Sequence, residues 1–353
     1  MKKFCLALFL SVTSVTSWAG DQVWCAYDPA GTQGDITRRL NDIRLYAQQY
    51  QVKFKVVSYQ KEQQAIQAFD EGKCSGLAAS NFNTYQYNHF MGSTSGIGLI
   101  PNNRTARNLL QLLNHPTIEK RLINKDYEAV GMIPVGTANM VMKTKKISKV
   151  AQLRGQRIGV LANNPPQQAL VRSVGAQPVY VDLSNAIAQF RQNKIDIMPA
   201  PVYGLLPYNL QKDFGPDTQV INFPLAYFGV NIIIKPQAYP ANFGRKIRAW
   251  FVQNSQLLTN RAIQWENHLP AYYWVDVSFY EKQSYDIMVA KIRNQYVRSG
   301  YYDAYFVELM KRLRCIDDPR YFECPMSRQN KRQLKLPFIL HEDFKLFYVL
   351  NGV

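Results

Sequence analysis

The side chains best suited to chemistry sit where expected strands end. Asp28, Gly31 and Thr32 follow the apolar run Val23–Tyr27, and Ser80, Asn81 and Asn83 close or follow Leu77–Ser80. Thr137 and Asn139 flank Ala138 just after Gly136, where a long apolar run is interrupted; Asn163 follows Arg157–Leu161. Tyr203 lies just beyond Pro199 and Pro201, and Tyr227 and Phe228 open a further run. Carboxylate, hydroxyl and amide groups near helix starts, where backbone N–H groups are free, can hold a small hydrogen-bonding molecule. Tyrosines there can stack on it. Plainer roles compete: turn and capping bonds for Asp28 and Thr32, a braced turn before Pro165 for Asn163, a bulge at Gly136, and core packing for Phe228.

Signatures of catalysis are absent from the sequence. His89, His115, His268 and His341 are scattered, with no HExxH pair. There is no G-x-S-x-G elbow and no Walker A loop. Gly31 and Gly34 fall short of a dinucleotide fingerprint. His341, Glu342 and Asp343 are adjacent, so their side chains diverge, and the trio reads as a surface charge cluster rather than a metal site. Neither a cofactor nor a metal is expected, and the chain does not read as an enzyme.

Residues 1–19 form a signal peptide: Lys2 and Lys3, the apolar run Phe4–Val15, and Ser17-Trp18-Ala19 as a small-residue cleavage site. Export to an oxidising compartment follows, and leaves Cys25, Cys74, Cys315 and Cys324. Four cysteines allow three pairings. If the strands that Cys25 and Cys74 occupy or precede are adjacent and parallel, a Cys25–Cys74 bond is geometrically possible, and Cys315–Cys324 then closes a small loop. A four-cysteine zinc site is the rival reading, and no C-x-x-C spacing supports it.

The elements that must position these residues alternate. From 153 to 201 the chain reads strand, helix, strand, helix, strand: Arg157–Leu161, Gln167–Val174, Pro178–Val181, a helix through Ile187 and Phe190 that Ser184 can cap, and Ile195–Met198. The same βαβαβ order appears from Val23 to Ser80, with Asp35 as N-cap of a helix whose apolar face is Ile36, Leu40, Ile43, Ala47 and Tyr50. Such alternation implies parallel strands with helical crossovers, and such sheets bind ligands beyond their carboxyl ends. Val130–Met142 and Tyr227–Lys235 read as longer strands. Helical spacing returns at Phe243–Leu258 and Tyr285–Tyr296, with aromatic-rich Ala271–Tyr280 between them packing back on the body.

Ser148–Val160 (SKVAQLRGQRIGV), Gly175–Val179 (GAQPV) and Phe190–Asp196 (FRQNKID) resemble the second lobe of TRAP-type, DctP-like solute-binding proteins, periplasmic receptors that deliver small molecules to a membrane transporter. The similarity runs from about Val23 to about Arg298, mainly as element order outside 130–235. The pairs Trp24-Cys25, Lys73-Cys74, Arg314-Cys315 and Glu323-Cys324 are similar to a branch of that family in which some members are labelled aminoglycoside efflux components. The resemblance implies an α/β, type II-like periplasmic binding protein: two lobes, each a βαβαβ open sheet, joined by crossing strands that serve as a hinge. Lobe 1 is then 20–130 plus about 224–255, lobe 2 is 131–223, and 256–353 is a helical region packed on both.

The implied function is capture of a small polar ligand between the lobes, with a TRAP-like permease or an envelope complex as partner; the alternative is a non-transport adaptor or sensor with a basic surface. Lys and Arg number 42 against 25 Asp and Glu, a net +17 that falls to +15 once Lys2 and Lys3 are removed, densest at Lys143–Lys149 and Arg328–Lys335. Nucleic acid is not an expected partner after export. The apolar end Phe338–Val349 should dock on the body. One departure from the family matters. Receptors for organic acids carry a strand arginine that grips the substrate carboxylate, and Gly159 stands at the aligned position. Arg157 shares that face but lies about 7 Å away along the strand, and Pro199 and Ala200 replace the usual acidic-amide pair. The expectation is a ligand other than a simple carboxylate, or one held by different groups. Calorimetric titration with dicarboxylates and sugar acids should detect no micromolar binding; such binding that also requires Arg157 would overturn this.

Overall fold

A computed structural model of the chain describes residues 22–324 apart from 145, 146, 206–208, 210, 211 and 213. The signal peptide, the basic run at 328–335, His341 and the apolar end therefore lie outside the described residues. Nine strands form one hydrogen-bonded sheet: β1 (Gln22–Tyr27), β2 (Phe54–Tyr59), β3 (Gly76–Ser80), β4 (Glu128–Met142), β5 (Arg157–Leu161), β6 (Gln177–Val181), β7 (Ile197–Ala200), β8 (Gln219–Ile234) and β9 (Trp274–Val275). Their order is β2-β1-β3-β8-β4-β7-β5-β6, with β9 added alongside β8.

Two parallel triads make up the ends of that sheet. β1 pairs in parallel with β2 and β3, and β5 with β6 and β7, as alternation with helices requires. β4 and β8 join the triads as a long antiparallel pair. The end of β8 lies against β3, while the end of β4 lies against β7, so the two open sheets run into one another. Both crossing strands are longer than their apolar runs suggest, because polar Gln219 and Glu128 also pair, with Met142 and Ile234.

Packing follows the period of two. In the second half of the sheet, Met140, Met142, Ile158, Ile197 and Ile221 face Tyr285 and Val289 of the helix Phe279–Arg298. The alternate residues Val141, Met198 and Val220 face Ile187 and Phe190 on the opposite side. In the first half, Trp24 stacks on Phe54 with ring centroids 4.1 Å apart and donates its Nε1–H to the Tyr239 hydroxyl at 2.7 Å. A Cβ on Gly76 would meet the Trp24 ring at 2.6 Å, which explains glycine there. Cys25 and Cys74 are joined within this core, with Cα atoms 5.8 Å apart, and Cys315 is joined to Cys324.

Local caps differ from expectation in two places. The helix Asp35–Ala47 begins at Asp35 itself, with Gly34 before it and no side-chain cap from Asp35. Ser184 does not cap the helix Ala186–Arg191; the Asp182 carboxylate accepts instead from Ser184 N, Ser184 Oγ and Asn185 N. In both turns an aspartate upstream is the acceptor, since its short carboxylate reaches the free N–H groups.

The last helices are pinned by buried charge. Arg293 and Arg314 are both buried; they donate to the Ile97 and Leu99 carbonyls at 3.1 Å and share the Glu323 carboxylate, which the Cys315–Cys324 loop carries into place. Burial, with Arg293 beside it, lowers the Arg314 pKa. Removing one partner of a buried pair leaves an uncompensated charge, at a cost of roughly 3–5 kcal/mol. Urea unfolding of Glu323→Gln should show a loss of that order; an unchanged midpoint would mean that the two guanidiniums do not depend on Glu323.

Candidate functional site

Asp28 directly follows β1 and is fully buried. Its Oδ2 accepts from Thr37 N at 2.9 Å and Thr37 Oγ1 at 3.1 Å, and its Oδ1 accepts from Ala30 N at 3.0 Å. It therefore caps the helix Asp35–Ala47 from outside. Gly34 makes this possible, because a Cβ there would sit 1.9 Å from Asp28 Oδ1. Burial raises the Asp28 pKa, and the bonds from Thr37, Ala30 and Tyr203 oppose that rise.

Tyr203 reaches Asp28 from the far half of the sheet. It lies on the short helix Val202–Leu205 after β7, donates to Asp28 Oδ1 at 3.1 Å and accepts from Asp35 N at 3.1 Å. Burial and the neighbouring Asp28 charge push its pKa far up, so the hydroxyl keeps its proton. Its ring packs on Trp265, with centroids 5.2 Å apart, and Arg261 over Trp265 pairs with Asp35 at 3.1 Å. A second bridge joins the same halves, from Asn163 Nδ2 to Asn83 Oδ1. Asn83 in turn donates to Glu62 Oε2 at 2.6 Å, and Ser80 N donates to Glu62 Oε1 at 2.5 Å.

The other candidate residues take roles within the frame. Asn81 donates to the Tyr227 carbonyl at 2.9 Å and accepts from Gly229 N, tying β3 to β8. Asn139 donates to the Ile221 carbonyl at 3.0 Å, tying β4 to β8. Thr137 donates through N and Oγ1 to Glu266 Oε1, at 3.0 and 3.1 Å. Glu266 Oε2 accepts from Asn103, whose Oδ1 accepts from the buried Tyr227 hydroxyl at 2.7 Å. This chain clasps β4 at Gly136, which has φ +133°, between register shifts at Pro134/Gly136 and Ala138/Met140. Arg157 forms a two-pronged pair with Asp196 at 2.5 and 3.0 Å, at the opposite end of β5 from Asn163. Thr32 lies exposed in the turn after β1.

Between the halves lies a cavity in two parts. The mouth, about 420 Å³, is lined by Lys61, Glu62 and Asn83 on one side and by Asn163, Asp182 and Ser184 on the other. Leu161, Val181 and Leu183 line both this mouth and an inner chamber of about 100 Å³. Phe82 and Phe228, with ring centroids 5.7 Å apart, wall that chamber on one side; Gly159, Met140 and Met198 do so on the other. Gln167 is the one polar side chain among the described residues that line the chamber.

Sequence reasoning missed Glu62, Glu266 and most of the chamber. Glu62 carried a usable signal, since it opens the helix that follows β2 and so stands at a strand end like the others. Phe82, Met140 and Met198 carried none, because chamber and core ask for the same residue types. Among the described residues, no group of three His, Cys, Asp or Glu could hold a metal ion, and no helix is long and apolar enough to cross a membrane.

A family model described as Solute-binding protein AdeT 1/2 matches residues 35–329. The probable solute-binding protein AdeT1 of Acinetobacter baumannii is 32% identical over 301 residues, covering 85% of this chain and 99% of its own. A TRAP periplasmic solute-binding protein from Ralstonia eutropha with bound (S)-2-acetolactate superposes with TM-score 0.65 at 13% identity, covering 83% of this chain and 98% of its own. DctP7 of Bordetella pertussis, which binds pyroglutamic acid, gives 0.64 at 14% identity, covering 84% and 100%. The sugar acid binding protein DctPAm of Advenella mimigardefordensis, in complex with galactonate, gives 0.65 at 13%, covering 83% and 97%. At such identities these structures establish the shared two-lobed fold.

Burial raises the pKa of Glu62, as it does that of Asp28, against bonds from Ser80 and Asn83. Both carboxyls thus hold a proton more tightly in the folded chain than in the unfolded one. Their contribution to stability is full below the ordinary values of 3.8 and 4.5 and is lost as pH rises through the folded values above them. Glu62→Gln should therefore flatten the pH dependence of the unfolding free energy above pH 4.5. A profile parallel to that of the wild type would exclude a raised Glu62 pKa.

Proposed function

Because the chain belongs to the AdeT 1/2 solute-binding protein family, we propose that its ligand site is the cleft between strand ends and that the lobes close on the solute there. The protein is a periplasmic ligand-binding component that works with a membrane transporter, and its relatives are solute-binding proteins rather than enzymes. In this reading residues 1–19 are removed on export. Residues up to 130, with about 224–255, form one lobe, and 131–223 form the other; the helical remainder braces both.

The observation that carries the reading is the Tyr203 hydroxyl, held at 3.1 Å from both Asp28 Oδ1 and Asp35 N across the cleft. Such a bridge is available only when the halves meet, so it acts as the latch of the closed state. Asn163 on Asn83 is a second catch near the mouth. The broken register around Gly136 supplies the place where the crossing pair bends, and Glu266 limits how far. Thr137, Asn139, Asn81 and Tyr227 belong to that hinge rather than to direct ligand contact. This reading assigns no catalytic role to the buried acids, which accept from backbone N–H groups, amides and hydroxyls.

A hydrogen bond to a charged group contributes roughly 1.5–3 kcal/mol. Tyr203→Phe should therefore shift the protein toward the open form and weaken any solute about tenfold or more. Small-angle scattering on the wild type should show compaction with whichever member of a metabolite panel raises its melting temperature, and Tyr203→Phe should need more of that solute for the same compaction. A panel with no hit, alongside co-purification of a membrane protein, would favour the adaptor reading.

A further inference from the structure

Resting on the cleft reading above, we infer that the solute is a neutral molecule with a small apolar body, an aromatic ring or a branched aliphatic group. That body fills the inner chamber, and a hydrogen-bonding head faces Gln167 and the mouth.

The chamber draws its walls from both sides of the cleft, so closing the lobes is what completes it: Phe82 from the loop after β3, Phe228 from β8, and Leu161, Val181 and Met198 from the far half. All of these are apolar. Chambers of this kind stay dry when empty, and one of about 150 Å³ accepts a benzene-sized guest. At about 100 Å³ the chamber alone is smaller than that, so a single ring or a branched chain would fill it and extend into the adjoining mouth of about 420 Å³.

A carboxylate has no counter-charge there. Gly159 lines the chamber without a side chain, and a Cβ at that position would already stand 3.1 Å from Ile195 Cδ1. Arg157 is spent on Asp196 at the other end of β5. The mouth holds the carboxyls of Glu62 and Asp182 against one lysine, Lys61. An anion would have to shed water beside two acids, which is costly unless it is paired. Gln167 is suited to a neutral head: its Oε1 accepts from Leu161 N at 2.9 Å, and its Nε2 bonds no described residue. The structural neighbours named above bind acids; this cleft has exchanged the means of doing so for apolar volume.

The test is calorimetric titration of the mature full chain with 2-phenylethanol, succinate and L-malate, with scattering recorded at saturation. Expected are one-to-one binding and compaction with 2-phenylethanol, no heat from either dicarboxylate, and at least a tenfold loss of 2-phenylethanol affinity in Ala186→Phe, which fills the chamber from the start of its helix. Should that variant not fold, Leu183→Phe fills the chamber from the preceding loop and carries the same expectation. Binding of succinate or malate without 2-phenylethanol overturns the inference and leaves the cleft reading standing. Silence from 2-phenylethanol also overturns it, and the cleft reading falls too only if no solute in the metabolite panel compacts the protein. Binding of 2-phenylethanol that neither filled variant weakens places it elsewhere and overturns the inference.

Discussion

Everything on either side of the cleft hangs from one antiparallel pair, β4 with β8. A central pair must satisfy its ladder along its whole length, because an unpaired buried N–H or C=O is expensive. This one runs on into β3 and β7 at its two ends, and its register shifts at Ala129/Gly131 and twice more in the middle. The irregular section is where amides take over from the ladder: Asn81 and Asn139 bond β8 carbonyls, and Thr137 offers its N–H to Glu266. The break is stabilised rather than merely tolerated, and its buried polar groups mark the bend of the hinge proposed above. Asn139 Oδ1 remains buried without a partner, a local cost on that same stretch.

The electrostatics of the molecule divide in the same way. Positive charge dominates by composition, yet the groups around the cleft are largely acids whose oxygens are already occupied. Asp28 serves a helix start and Tyr203 together; Glu62 serves Ser80 and Asn83; Glu266 serves Thr137 and Asn103. These carboxylates act as rigid acceptors that hold strand-end loops in place. Their commitment leaves shape and apolar surface as the main resources of the inner cleft.

How much of this could be read from the chain depends on whether a feature is periodic. Strands at Arg157–Leu161 and Val23–Tyr27 were legible as short apolar runs buried on both faces, and the helix carrying Ile36, Leu40 and Ile43 from the period that burial on one face imposes. The long strands were legible from apolar runs broken near Gly136, and their crossing between the halves from the family resemblance; disulfides were expected from the compartment, with Cys25–Cys74 conditional on adjacent parallel strands. The residues at strand ends were found, and capping was among the roles weighed for Asp28, but most of their partners were not read. Asp28 as a remote cap requires knowing that Gly34 leaves room for it, a fact of three dimensions. Tyr203 was marked as an aromatic that could stack, whereas its hydroxyl does the bridging. The chamber was invisible because Phe82, Met140 and Met198 obey the rule for core residues; only the gap between lobes separates a lining from a core.

The loop that carries Glu323 has a consequence for the life history of the chain. Its carboxylate is brought to two interior guanidiniums by a covalent bond between Cys315 and Cys324, and such bonds do not persist in a reducing cytosol. Before translocation, the counter-ion is tethered by the polypeptide alone, and the last two helices have correspondingly less reason to settle on the body. Oxidation after secretion supplies the missing constraint, so that full maturation is timed to arrival in the compartment where the protein works.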